Sequence, residues 1–555
     1  MKKRSLRTLS AVLAAAALTG VTACGGGGGN GGGNNEPADS SKTQLLIWDY
    51  KAGYGDAWLT KLERDFEEQF KDYSFEEGKV GVQVKHEGDM KEFSATDVKD
   101  GQYDIYFTEG MDFRAMSNPA FGALEDLTSI VTGKSEFEDK TIYEKMTDLQ
   151  KNFYGLNNGE SGFYGIPHYE GGWGLSYDKD LFDERGYYLD VNGDVILDRE
   201  GVELGYGPDG KKGTFDDGLP QTYDQFFNLC EEIYGQGDIP FCWSGMYATP
   251  YINQLYDTLV ADYEGVEQMS LNLTFDGVAT DLGTIDESGK FVLDAEPTTI
   301  TFANGYELSR QAGKYYALEF IRKMVTSGTG WYNKDGMKPS FTHWDAQSSY
   351  LKSNTTFSDE KPMAMLVDGP WWEAEATEVF NNMAKRNSAY SKQNRNFSWM
   401  PLPKATADKI GQKSVYTDTM RAFICVKAGL KDGVKNAALK FAQFACTDRA
   451  LVEFTQITGA QKALKYEMSE KDMSVLSPFA KSIAVFKENA DGFDEISYNP
   501  NYIQNRKDLL PASGAYAASS TYTMPITAFV QTNPMSAVDY FKSMYTYSKA
   551  KSFWK

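Results

Sequence analysis

The chain has 555 residues and a formal charge of −22. That length exceeds one ordinary domain and points to two large lobes. An acidic chain whose only basic cluster lies at its start lacks the footprint of a nucleic-acid binder, and acidic partners are disfavoured as well. Aromatic residues make up 14% of the chain, which suits stacking on flat apolar faces and a large core alike.

Lys2, Lys3, Arg4 and Arg7 open the chain and Leu9 to Leu18 is a short apolar run. Residues 1–23 therefore read as a secretory leader. The run is too short to span a bilayer, and no later stretch is long enough. Without the four leader cations the chain carries about −26. Val21-Thr22-Ala23-Cys24 reads as a lipobox, with Cys24 as the lipidated first residue of the mature chain. Residues 24–42 are a tether, dominated by Gly and Asn up to Asn35. Folding is expected from Thr43. The other cysteines, Cys230, Cys242, Cys425 and Cys446, are widely spaced with no CxxC. Neither a zinc site nor a redox pair is indicated, and buried free thiols are expected.

Gln44 to Trp48 (QLLIW) reads as a first strand, followed by Asp49 and a loop with Gly53 and Gly55. From Trp58 to Phe70, Leu59, Leu62, Phe66 and Phe70 share one helical face. Gly81 to Lys85 and Tyr103 to Phe107 read as the next strands, the latter ending near Glu109. This alternation predicts α/β lobes, each a mostly parallel sheet covered by helices. Gly162 to Phe182 holds two apolar runs split by Pro167 and a glycine knot, Gly171-Gly172-Trp173-Gly174, beside Tyr169 and Glu170. Those glycines supply backbone able to hinge.

Tyr187 to Gly218 is rich in Gly and Asp. Its Gly205-to-Gly210 GxGxxG contains a Pro, follows no apolar strand and opens no helix, so it is not a dinucleotide loop. Asp190, Asn192 and Asp194 alternate as calcium ligands do, and with Asp209, Asp216 and Asp217 they form a candidate calcium set, although the Gly is misplaced for an EF-hand. Solvated turns are the favoured reading, with calcium binding as the alternative. Thr222 to Gln225 is a capping box opening a helix through Ile233. Pro240 to Gly245 is a strand end carrying Trp243, and helix with a polar hairpin is expected over Tyr251 to Asp294.

Lys361 to Trp372 (KPMAMLVDGPWW) organises the chain. Met363 to Val367 is a continuous apolar run closed by Asp368-Gly369-Pro370, which fits a buried strand better than a helix. Trp371 and Trp372 follow at once, where α/β sheets bind ligands. Arg421 to Val426 reads as another buried strand, preceded by Asp418, and Asn436 to Ala445 as a helix.

The GPWW segment resembles that of family 1 extracellular solute-binding proteins, the sugar receptors of ABC importers. YGIPHYEGGWGLSYDKDLF resembles the family's Y-G-x-P … Y-N-K-D-L-F segment, with Asp178 where Asn is usual. Pro220 to Gln225 resembles its P-x-T-W-D-E helix start, and Gly459-Ala460-Gln461 stands where a Gly-x-x-Pro step is usual, without the Pro. The resemblance runs from Thr43 to roughly Leu464. It implies a two-lobed periplasmic-binding-protein-like fold: residues 43–170 and 417–460 as the N-terminal lobe, and 171–416 and 461–555 as the C-terminal lobe, with 187–218 as an insertion. It also implies a monomer that takes a carbohydrate, an oligosaccharide by expectation, and hands it to ABC transporter permease subunits, with no required cofactor. The place would be the outer face of the cytoplasmic membrane, or the periplasm if an outer membrane is present.

From the residues themselves, indoles at strand ends suit sugar rings and nearby carboxylates suit hydroxyls. Trp48, Asp49, Glu109, Tyr169, Glu170, Trp173, Trp243, Asp368, Trp371, Trp372 and Asp418 are the candidates. A lipid-anchored glycoside hydrolase or lyase is the rival, since it too uses aromatics and paired carboxyls. Three histidines with no HExxH, and no GxSxG or P-loop, argue against other hydrolases.

Overall fold

The structure is a computed structural model that describes residues 37–110, 113–157, 160–197, 201–326, 330–419, 422–494, 524–551 and 554. The leader, Cys24 and the glycine tether lie outside the described residues, apart from the tether's end. The described residues form one compact unit. Among the described residues no helix is long and apolar enough to cross a membrane.

Two sheets carry the fold. The first runs Val82–Asp89, Thr43–Tyr50, Ile105–Glu109, Ala422–Val426, Ile166–Pro167 from edge to edge. The second runs Ile239–Cys242, Met363–Asp368, Gly174–Asp178, Phe397–Met400. Every residue of Met363–Asp368 is buried, because that sheet has packing on both faces. The Ala57–Gln69 helix buries Trp58, Leu59, Leu62 and Phe66, the stripe that its sequence period specifies.

Each sheet is mostly parallel, as expected, with one reversed strand. Thr43–Tyr50 pairs in parallel with both neighbours, but Ala422–Val426 is antiparallel to Ile105–Glu109. Likewise Gly174–Asp178 is antiparallel to both Met363–Asp368 and Phe397–Met400. The cause is connectivity. Each reversed strand enters its sheet from the other lobe, so it starts at the carboxyl end of the strands already there and runs back.

The segments that pass between the lobes lie against each other. Gly171 N–H donates to Asp418 Oδ1 at 3.0 Å, and Thr419 N–H donates to Gly171 O at 3.1 Å. A Cβ on Gly172 would fall on the Thr417 carbonyl oxygen, so this glycine is needed for close approach rather than for hinge freedom. Tyr169–Glu170 also pairs with Gln461–Lys462. After it, Leu464 joins the buried cluster of the first lobe and Gln150 donates to Ala463 O at 2.9 Å. Of the stretch expected in the second lobe from 461, Leu464 thus packs with the first-lobe cluster, while Phe479 and Ile483 of the Pro478–Asn489 helix pack with Phe397 and Trp399.

Helix over Ala248–Thr274 is followed by two small antiparallel ladders, as the sequence suggested. The Tyr223–Gly235 helix keeps half of its box: Thr222 accepts from Gln225 N–H, but the Gln225 side chain accepts from Gln221 N–H instead. The helices Pro525–Phe529 and Ala537–Lys549 pack into the second-lobe core through Phe529, Tyr540 and Phe541. All four described cysteines are free and buried, and burial pushes the Cys446 thiol up to about 12.

Candidate functional site

Past the end of Met363–Asp368 the chain turns at Gly369-Pro370 and begins a short helix, Trp372–Glu375. Successive side chains of a helical turn point about 100° apart, and the two indoles separate accordingly. Trp372 is fully buried, donates to Ser176 Oγ at 3.0 Å and packs on Phe397 and Phe479. Trp371 folds back over the Gly369 α-carbon and joins the buried cluster that holds Ala52 and Tyr54 of the first lobe. It meets Trp173 edge to face, with centroids 4.8 Å apart, and Trp173 lies 4.2 Å from Tyr251.

A polar cluster backs these rings. Asp368 is buried, accepts from Gly369 N–H at 2.8 Å and from Gln347 Nε2 at 3.2 Å, and takes a hydrogen bond from the Trp371 side chain. The same Gln347 nitrogen donates to Glu375 Oε2 at 2.5 Å. Burial raises both carboxyls well above the ordinary range, and the Asp368 charge adds to the shift of Glu375. His343 Nε2 stands 3.8 Å from Glu375 Oε1, and burial lowers its imidazole, which favours the neutral ring. From the first lobe, Gly53 packs directly on Glu375, so the lobes touch here.

A second polar group sits at the crossing segments. The Tyr169 hydroxyl donates to Glu109, and the Tyr169 ring meets Tyr54 at 5.0 Å. Glu170 pairs with Lys487 of the Pro478–Asn489 helix. A cavity of about 730 Å³ opens beside them, lined by Glu170, Tyr416, Asp418, Gln461 and Lys487 among others.

Of the residues expected at the site, Trp173, Asp368 and Trp371 come together, and Glu109, Tyr169, Glu170 and Asp418 gather at the crossing. Three indoles and one carboxylate do not join either group. Trp48 packs inside the first lobe against Phe93 and Tyr103, at 4.9 and 5.3 Å. Trp243 is fully buried, donates to Gly336 O at 2.8 Å and stacks on Tyr332. Trp372 belongs to the second-lobe core, as above. Asp49 is buried within the first lobe; burial pushes it up to about 7, against the pull of His86. Burial would lower His86, but Asp56 and Glu63 outweigh it and raise the ring to about 9. These residues face inward because strand-end position does not fix which side of the sheet a side chain takes; strand register does.

Gln347, Glu375, Tyr251 and His343 were not foreseen. A signal for them exists in the sequence. His343 and Gln347, like Tyr247 and Tyr251, are four apart and share a helical face, and Glu375 lies one turn beyond Trp371.

Residues 68–461 match the family described as Bacterial extracellular solute-binding protein. The chain belongs to that family. No curated protein matches the sequence of this solute-binding protein. Its fold is similar to the apo form of RafE from Streptococcus pneumoniae, with a TM-score of 0.53 and 16% identity over 93% of this chain and 100% of that one. RafE in complex with raffinose gives 0.51 and 14%, over 92% and 100%. A chitin oligosaccharide binding protein gives 0.53 and 14%, over 92% and 98%. All are similar in fold, and the two-lobed architecture is shared.

The acidic insertion of this solute-binding protein is organised by its own carboxylates. Asp190 Oδ1 accepts from the N–H groups of Asn192 and Asp194, at 2.8 and 3.0 Å. Asp216 is buried, accepts from Asp209 N–H at 3.0 Å and Thr214 Oγ1 at 2.7 Å, and burial raises it to about 6. Asp217 accepts from Gly213 N–H at 2.8 Å. Among the described residues no group of three or more His, Cys, Asp or Glu is arranged to hold a metal ion. Of the calcium set Asp190, Asn192, Asp194, Asp209, Asp216 and Asp217, three members (Asp190, Asp216 and Asp217) spend carboxylate oxygens on backbone amides and a hydroxyl within the loop.

Proposed function

We propose that this extracellular solute-binding protein captures a carbohydrate, in particular an oligosaccharide, between its lobes and delivers it unchanged to an ABC importer. One observation carries the reading: Trp371, Trp173 and Tyr251 form an aromatic wall backed by Asp368, Gln347 and Glu375, and a first-lobe loop rests on it. Sugar rings present apolar C–H faces to such a wall and hydroxyls to the carboxyls. Hinge opening would admit the ligand, and closure around it would return the loop to the wall. The raffinose-bound RafE and the chitin oligosaccharide binding protein share the fold, which supports this ligand class.

Binding without chemical change suits the acid pair. Gln347 Nε2 bonds to both Asp368 and Glu375 and occupies the space between them. A glycosidase needs that space for the scissile bond, with one acid ionised and one protonated. The reading also includes anchoring at the outer face of the cytoplasmic membrane through lipid on Cys24, supported by the leader and the small residues before that cysteine. Stable anchoring takes more than one acyl chain.

A thermal-shift screen of oligosaccharides tests the ligand class, because a ligand that binds only the folded state raises the melting temperature. Chromatography of the sugar after incubation should return it intact. Shortened sugar would overturn the proposal in favour of a hydrolase, and a screen in which amino acids or peptides alone raise the melting temperature would replace the ligand class.

A further inference from the structure

The aromatic wall does not stop at the lobe contact. From Trp371 and Trp173 it continues through Tyr251 to Tyr247, stacked at 5.8 Å with an interplanar angle of 14°. Tyr247 stands 5.7 Å from His343, and His343 stands 4.4 Å from Trp344. Exposure rises along this row, from 6% at Trp371 and 8% at Tyr251 to 39% at Tyr247 and 63% at Trp344. Two of the rings come from the start of the Ala248–Thr274 helix and its preceding turn, and two from the first turn of the His343–Ser353 helix. Trp344 and Tyr247 are thus exposed rings on either side of His343, and contiguous exposed aromatics mark ligand or partner sites.

Polar atoms accompany the row. His343 Nδ1 and Gln347 Oε1 are buried and have no hydrogen-bond partner, although Gln347 as a whole is 1% exposed. A buried acceptor left unmade is costly unless a ligand meets it. A row of rings with polar atoms at His343 and Gln347 suits the C–H faces and hydroxyls of a glycan.

We infer that the ligand is an oligosaccharide longer than the lobes enclose, with one end held at Trp371 and its remaining units running outward over Tyr251, Tyr247 and Trp344. This rests on the carbohydrate reading above and adds to it a length preference and an open end. Trp344 is then a specificity-determining residue that acts on the outermost bound unit and leaves the enclosed units alone.

Calorimetry of the purified full chain against ladders of chito-, malto- and raffinose-series oligosaccharides, from disaccharide to hexasaccharide, tests this. Affinity should rise beyond the trisaccharide in the series that binds. Trp344→Ala should cancel that rise, about a tenfold loss on the longest member by analogy with stacked aromatics, and leave the disaccharide unchanged. Trp344→Phe should keep most of it. Since Trp344 is exposed, its variants should melt as wild type does. Affinity that is flat beyond the trisaccharide, or unchanged on the longest ligand in Trp344→Ala, overturns the inference while leaving the carbohydrate reading standing. Lost uptake with intact binding would assign Trp344 to the importer and also overturn it. Failure of every ladder with wild type would remove the carbohydrate reading, and this inference with it.

Discussion

Gly53 of the first lobe packs on Glu375 of the second so closely that a Cβ there would lie 2.5 Å from Glu375 Oε1. Its φ of +82° is also one that other residues adopt only with strain. Glu375 cannot simply swing away, because Gln347 holds its other oxygen. This contact between the lobes therefore depends on the absence of a side chain at position 53.

Gly53→Ala should hinder closure. The strain and the clash together amount to about 1–2 kcal/mol, or roughly a five- to thirtyfold loss of ligand affinity. Calorimetry would show it, and small-angle scattering with ligand should show a larger radius of gyration than wild type. Equal affinity and equal radius would mean that this contact does not limit closure.

The adjacent indoles should respond differently to truncation. Trp371→Ala should cost on the order of 2 kcal/mol of binding, about thirtyfold, with a smaller effect on the melting temperature. Trp372→Ala removes a core ring and its bond to Ser176, and should cost about 3–5 kcal/mol of stability. Denaturant titration and calorimetry on both variants check this. A stability loss at Trp371 as large as at Trp372 would make Trp371 a core residue.

Asp368 and Glu375 give a pH signature. Burial raises both in the folded state, and their unfolded values lie near 4. Groups raised in this way support the fold fully below about pH 4, and that support is lost as pH rises through the shifted values. Wild type should therefore lose stability relative to Glu375→Gln between about pH 5 and pH 8, on the order of 1 kcal/mol per pH unit while one group titrates. Melting curves at several pH values read the difference, in which titrations elsewhere cancel. A constant difference would mean that the pair does not titrate in this window.

Chelation addresses the acidic insertion. With Asp190, Asp216 and Asp217 already bonded to amides and a hydroxyl, EDTA should leave the melting temperature unchanged. A clear fall with EDTA, restored by calcium, would show that the loop rearranges around a cation after all.

Cys24→Ala should release the protein from membranes or leave the leader uncleaved, read by fractionation and gel mobility. Membrane retention with unaltered mobility would argue against lipid at Cys24.

Some of this was fixed by local sequence. A continuous apolar run bounded by Gly-Pro makes Met363–Asp368 a buried strand whatever surrounds it, and the same applies to Ala422–Val426. Motif order along the chain was enough to place the family. The side on which each candidate sits was not legible, because register and crossing angle decide it. Trp48 and Trp243 stand at strand ends like Trp173, yet neighbours distant in sequence, such as Phe93 and Gly336, draw them inward. The reversed strand was equally hidden, since local patterning cannot say that Ala422–Val426 returns from the other lobe and must run backwards. The contacts that define closure join residues hundreds of positions apart: Gly53 with Glu375, and Gly172 with Thr417. Their spacing is set by how two finished lobes meet, and only the tertiary structure contains that distance.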